Sequence, residues 1–133
     1  MADSYVLDSF AILALLNDEP GSDQVSALFK RSRADAQLLM SWINVGEVAY
    51  IVERRWGAGR VQQVLGLLEA TGIHMVAVER ELALGAAHLK AVHPLAYADA
   101  VAAALARQTE ATLVTGDPEL RVVEGTVQIL WLT

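Results

Sequence analysis

Short apolar runs alternate along this chain with longer stretches in which apolar residues return every three or four positions. Tyr5 to Leu7 reads as a first strand. Ser9 to Leu15 is predicted as a helix, with Phe10, Leu13 and either Ala14 or Leu16 at core spacing. The cluster Asn17-Asp18-Glu19-Pro20-Gly21 is a turn. Ser22 to Arg31 follows as a helix with Val25, Leu28 and Phe29 on one face, and Gln37 to Ser41 is a second strand. A helix is expected from Asn44 to Trp56, closed by Gly57 and Gly59. Another runs from Arg60 to Ala70 with Val61, Val64, Leu65 and Leu68 inward. Ile73 to Val78 is a third strand and Glu79 to Ala91 a helix. His93-Pro94 breaks the chain, and an alanine-rich helix then runs from Leu95 or Tyr97 through Gln108. Thr112 to Val114 is a short buried strand, Gly116-Asp117-Pro118 turns into a short helix, and Val127 to Leu132 is the last strand. Such alternation predicts an α/β domain with a mostly parallel sheet, a single domain over residues 1–133.

Four carboxylates fall where this pattern switches from strand to helix. Asp8 closes Tyr5-Val6-Leu7, Glu47 follows the second strand, Asp99 lies early in the alanine-rich helix, and Asp117 follows Leu113-Val114-Thr115-Gly116. In parallel sheets, ligands sit outside the carboxyl ends of the strands, so the four acids are expected to converge there. Each also has a capping explanation. Asp8 precedes Ser9 as a helix cap would, and Asn44-Val45-Gly46-Glu47 fits a capping box with Asn44 as cap. Asp99 suits the positive end of a helix dipole, and Asp117-Pro118 pairs a cap with the residue favoured at the first helical position. Jointly they suggest more. Asp99 stands among Ala98, Ala100, Val101, Ala102, Ala103 and Ala104, where an ionised acid is costly unless paired or metal-bound. Mutual repulsion raises the pKa of at least one acid, and a cation relieves it. Hard oxygen donors without cysteine or a neighbouring histidine favour Mg²⁺ or Mn²⁺ over zinc, and such sites serve phosphodiester hydrolysis.

Composition alters this picture in three places. Of the 133 residues, 54% are apolar, which suggests a dense core or a surface buried in a partner. The absence of cysteine removes disulfides and thiolate metal sites and fits a reducing compartment. The net charge of -6 argues against nucleic acid at first sight. Setting aside the four focal carboxylates leaves only -2, so the bulk charge weakens a nucleic-acid reading little. Neither a signal peptide nor a membrane-spanning apolar segment is seen, and a soluble, cytoplasmic protein is expected.

The ordered segments Tyr5-Val6-Leu7-Asp8-Ser9-Phe10-Ala11-Ile12-Leu13, Asn44-Val45-Gly46-Glu47-Val48, Tyr97-Ala98-Asp99-Ala100-Val101-Ala102-Ala103-Ala104-Leu105-Ala106 and Val114-Thr115-Gly116-Asp117-Pro118-Glu119-Leu120 resemble those of the PIN-domain ribonucleases, VapC-type toxins in particular. The resemblance runs from residue 5 to the final strand. It implies a three-layer α/β/α fold and a Mg²⁺- or Mn²⁺-dependent endoribonuclease, the toxin of a type II toxin–antitoxin pair. Carried over, Asp8 and Asp99 would be the principal metal ligands. Glu47 and Asp117 would complete the acidic site, directly or through water, and the Thr115 hydroxyl would orient the last acid or a water. Ser9 and Asn44 stand at positions that commonly support the first acid and the glutamate turn; simple capping is the reading adopted for both. An RNA substrate, a cognate antitoxin blocking the acidic groove and a homodimer are implied as partners. The stretch His93-Pro94-Leu95-Ala96-Tyr97 departs from relatives, which often carry serine or a similar small polar residue before the helix acid.

Other residues divide between bland and functional readings. Lys30, Arg31 and Arg33 read as a solvated helix end, with phosphate contact as the functional option. Arg54 lies seven residues past Glu47 and could share its face. There it could pair with an acid, touch substrate or bind a partner carboxylate; a surface role is the plain alternative. His74, His88 and His93 show no ligand spacing, with His93 an outside candidate for substrate contact. Trp42, Trp56 and Trp131 are expected in core or interface rather than stacked on bases. The faces bearing Leu15, Leu16, Val48, Ile51 and Val52 suggest a dimer or antitoxin interface beyond the core. Two other classes stay in view: a PIN-like module that binds RNA or protein without cleaving, and a phosphate-handling α/β domain. A receiver domain wants a lysine near the end of a late strand, which neither Lys30 nor Lys90 supplies. A dehalogenase-type phosphatase wants an aspartate where Phe10 stands.

Overall fold

The computed structural model describes residues 3–133. Five parallel strands form one sheet: β1 (Asp3–Leu7), β2 (Ala36–Ser41), β3 (His74–Val76), β4 (Thr112–Thr115) and β5 (Ile129–Trp131), in the order β3-β2-β1-β4-β5. Between them run α1 (Ser9–Leu16), α2 (Ser22–Arg31), α3 (Trp42–Trp56), α4 (Ala58–Ala70), α5 (Arg80–Val92) and α6 (Tyr97–Thr109), and Pro118–Val123 forms a 3₁₀ helix. The chain builds outward from β1 to β3, then returns to the other side of β1 with β4 and β5. In such sheets a reversal of strand order like that between β1 and β4 marks the crevice outside the carboxyl ends where ligands usually sit.

Successive strand residues face opposite layers, and the core divides accordingly. Val6, Leu39 and Leu113 pack with Leu82, Ala86 and Leu89 of α5 and the buried alanines of α6. Leu7, Leu38, Met40 and Val114 pack with Ala11, Ile12, Val25, Val48, Val52, Val64 and Leu68 from α1 to α4. The fold is therefore α/β, with helices on both faces of a parallel sheet. The alanines of α6 from Ala100 to Ala106 are buried because small side chains let this helix approach the sheet closely.

Several local expectations are corrected. No turn separates β2 from the next helix: α3 begins at Trp42, with Ser41 as its cap, and Asn44 is already helical. The Ser41 hydroxyl accepts from the Asn44 backbone N–H at 3.1 Å, so Asn44 is not the cap of a capping box. Gly59 does not close a helix but lies in the first turn of α4. The edge strands β3 and β5 are three residues each, shorter than expected, because each pairs on one side only. In α1 the buried residues are Ser9, Ala11, Ile12 and Ala14, while Phe10 is exposed. Every residue from Phe10 to Leu16 is apolar, so spacing could not select the inward face. Val48 and Val52 are core rather than interface, and Leu15 and Leu16 pack against that core. Of the tryptophans expected in core or interface, Trp42 and Trp56 lie outside the core, about half exposed at 48% and 51%.

Candidate active site

Asp8 leaves β1 and caps α1, its Oδ1 accepting from the Ala11 backbone N–H at 2.9 Å. Its Oδ2 accepts from the Thr115 hydroxyl at the end of β4. These bonds lock both oxygens of a carboxylate that is 1% exposed. Thr115 also accepts from the Asp117 backbone N–H at 3.1 Å, which links the first acid to the last through one hydroxyl. Asp117 caps the 3₁₀ helix by accepting from the Glu119 N–H at 3.0 Å, with Pro118 at its start. Gly116 belongs to this turn because the Phe10 ring lies on its backbone; a Cβ there would meet the ring at 2.3 Å.

Glu47 does not reach back along its own helix. Its Oε1 accepts from the Ser9 hydroxyl, so Ser9 ties α3 to the start of α1 rather than capping. Asn44, fully buried, accepts from the Ser41 hydroxyl at 2.6 Å and donates from Nδ2 to the Ala98 carbonyl at 3.2 Å. It thereby fixes the first turn of α3 against the first turn of α6, one residue before Asp99.

Asp99, Asp117 and Glu119 each offer a ligand atom within 4.8 Å of one another. The structure thus groups Asp99 and Asp117 with Glu119, an acid that strand-end reasoning passed over. Its signal was present: Asp117-Pro118 starts a short helix, and Glu119 follows in its first turn. Asp8 and Glu47 border this cluster, since the Asp99 and Asp117 charges act on Asp8 and the Glu47 charge acts on Asp99. Burial, with smaller contributions from Asp99 and Asp117, pushes the Asp8 carboxyl up to about 7 against the hydrogen bonds from Thr115 and Ala11. Burial, then the charges of Asp117, Glu47 and Glu119, pushes Asp99 up to about 6. Both shifts come first from burial and then from neighbouring carboxylates, so the charged forms are costly here unless a cation accompanies them. Its all-carboxylate donors fit a hard divalent cation. Glu119→Gln is expected to weaken Mn²⁺ binding by roughly tenfold to a hundredfold in calorimetry, and unchanged affinity would exclude Glu119 as a ligand.

The remaining singled-out residues lie elsewhere. Arg31 pairs with Asp3 at 2.7 Å and Asp35 at 3.1 Å and donates to the Tyr5 hydroxyl, at the opposite end of β1 from Asp8. His74 and His88 are exposed and His93 is half-buried; none belongs to the acidic group. Among the described residues, no helix is long and apolar enough to cross a membrane.

A family model for the PIN domain matches residues 5–125. Among curated proteins, none matches the sequence significantly. Of the solved structures, the chain is similar to one in VapBC2 from Rickettsia felis bound to a promoter DNA fragment, with a TM-score of 0.80 and 16% identity over 98% of this chain and 99% of that one. It is also similar to a chain of DNA-bound VapBC from Salmonella typhimurium, with a TM-score of 0.74, 18% identity and 98% of each chain covered. A third is VapC20 from Mycobacterium tuberculosis, described as a sarcin-ricin loop cleaving toxin, with a TM-score of 0.72 and 17% identity over 95% and 98% of the two chains. At these identities the likeness is one of fold.

Proposed function

The chain belongs to the PIN-domain family, and from that premise we propose that it is a metal-dependent endoribonuclease, the toxin of a toxin–antitoxin pair. The observation that carries this reading is the meeting of five carboxylates at the crevice between β1 and β4. Asp99, Asp117 and Glu119 would hold a divalent cation, Mg²⁺ or Mn²⁺, with Asp8 and Glu47 beside it. When bound, the cation supplies Lewis-acid stabilisation of the scissile phosphate and makes a water more acidic. Asp8 contributes a carboxylate whose orientation Thr115 and Ala11 fix. Glu47, held by Ser9 through Oε1, keeps Oε2 for orienting the attacking water. Asn44 holds the helices of Glu47 and Asp99 at a constant separation. Thr115 acts through Asp8 and Asp117 as a positioning residue.

RNA is the substrate on this reading, residues 1–133 act as one unit, and the setting is cytoplasmic. An antitoxin and a second copy of the chain are the protein partners. The exposed apolar residues Trp42 and Ile43 on α3, and Leu84 and Val92 on α5, support protein partners. A short upstream reading frame with a DNA-binding head would support the antitoxin. The test maps cleavage ends on total RNA with purified protein, with Mn²⁺ and with EDTA. Discrete ends that vanish in EDTA are expected; no cleavage at millimolar metal would overturn the nuclease reading. Millimolar Mn²⁺ or Mg²⁺ is also expected to raise the melting temperature by several degrees, because a ligand at about a hundred times its Kd adds ~2.7 kcal/mol to the native state. An unmoved melting temperature would count against a preformed site.

A further inference from the structure

Arg54 has no role in the acidic pocket, yet it shares a helix face with it. Ile43, Glu47, Tyr50 and Arg54 recur at i, i+4, i+7 and i+11, a stripe along one side of α3. Asn44, Val45, Val48 and Val52 form the buried side. Tyr50 is 49% exposed, and the Arg54 guanidinium sits over its ring, 5.2 Å from the centroid. Among the described residues, carboxylate ion pairs engage Arg31 alone, so Arg54 has no acid partner. At 1.5 Å per residue, Arg54 stands about 10 Å along the helix from Glu47, within reach of nucleotides flanking a bond held at the pocket. Arg55 over the half-exposed Trp56 continues the same chemistry at the helix end.

Charge decides what this stripe fits. Five carboxylates outweigh a single divalent cation, so a polyanion needs further positive charge beside the pocket to remain there. Arg54 supplies it on the Glu47 face, whereas Arg31 is consumed by Asp3 and Asp35. A protein segment basic enough to neutralise the pocket would be repelled by Arg54. An RNA strand would be attracted, and an exposed ring beside a free guanidinium suits an unpaired base and its phosphate.

We propose that Tyr50 and Arg54 form the docking platform for single-stranded RNA beside the acidic pocket. An unpaired base takes the place of the Arg54 guanidinium on the Tyr50 ring, and the displaced guanidinium holds a flanking phosphate. This rests on the ribonuclease reading for its pocket but has its own test.

Binding of a labelled single-stranded RNA is measured by fluorescence anisotropy in EDTA across a salt series. Tyr50→Ala and Arg54→Ala are each expected to weaken binding about tenfold. Arg54→Ala should also reduce the salt slope by about 0.7, one phosphate contact on a single strand, while Arg54→Lys retains the slope. Tyr50→Phe keeps the ring and should bind as wild type. Arg107→Ala, on exposed α6 surface at the far end from Asp99, should change nothing. In cleavage with Mn²⁺, the two alanine variants should raise KM and leave kcat within about twofold, as loss of uniform binding requires. Wild-type affinity and slope in folded Arg54→Ala and Tyr50→Ala protein would overturn the platform. So would an equal loss in Arg107→Ala, or intact RNA binding with loss of a protein partner. Wild type that binds RNA through these residues but never cleaves it would uphold the platform and overturn the nuclease reading.

Discussion

Asp99→Asn is expected to lower kcat for metal-dependent RNA cleavage by roughly 10³-fold or more, the scale of losing several kcal/mol of Lewis-acid stabilisation. The fold should survive. Asn is nearly isosteric, and the first turn of α6 is held by the Ala100 N–H to Ala96 carbonyl bond and by Asn44, not by the acid. Asp99 is the residue on which the other charges converge, since Asp117, Glu47 and Glu119 all act on it. Removing it takes a ligand atom out of the closest carboxylate group. Asp8→Asn should also abolish cleavage, because it removes the most buried charge at the crevice while its Oδ1 still accepts from the Ala11 N–H and its Nδ2 donates to the Thr115 hydroxyl, reversing that bond. Cleavage ends and single-turnover rates, measured on both variants beside wild type, check this. Retained cleavage by folded Asp99→Asn protein would remove the site assignment.

The same Asp8→Asn variant is expected to be more stable than wild type when metal is absent. A carboxyl at about 7 in the fold and near 3.8 unfolded makes the folded state bind more protons between those values. Its contribution therefore falls as pH rises from about 4 to about 7, and above that the whole cost of a buried anion is present. At about 1.4 kcal/mol per tenfold change in proton affinity, the ceiling is ~4 kcal/mol. Asn caps helices as well as Asp does, so the variant escapes the charge and keeps the cap. Its melting temperature at pH 8 should exceed that of wild type by about 5 °C or more, and the difference should shrink toward pH 4. Asp99, raised to about 6 and also buried, adds a smaller change of the same sign. Saturating Mn²⁺ should reverse the order, because wild type then gains binding free energy that the variant loses. Calorimetry from pH 4 to 8 with EDTA and with Mn²⁺ checks all three. A lower metal-free melting temperature for Asp8→Asn would show that the charge on the cap stabilises more than repulsion and burial destabilise.

The alternation of apolar runs with helical spacing determined the α/β class, because strand and helix periods differ and each run was long enough to show its own. Positions such as Asp8 before Ser9 and Asp117 before Pro118 were legible as caps, since capping is local chemistry between near neighbours. Periodicity failed where composition was uniform: α1 is apolar throughout, and only packing on the sheet and on Gly116 set Ile12 inward and Phe10 outward. It failed again at Asn44, where a buried hydroxyl at Ser41 took over the cap and drew the amide toward α6. Those choices depend on groups more than fifty residues apart, such as Asn44 and the Ala98 carbonyl. By itself the sequence determined which carboxylates stand at strand ends, and that no cysteine competes with them. Only the tertiary structure decided that Glu119 joins Asp99 and Asp117, that Ser9 holds Glu47, and that Thr115 ties Asp8 to Asp117. The physical reason is that the strand order, which places β4 beside β1 across more than a hundred residues of chain, sets the distances on which ligation and repulsion depend.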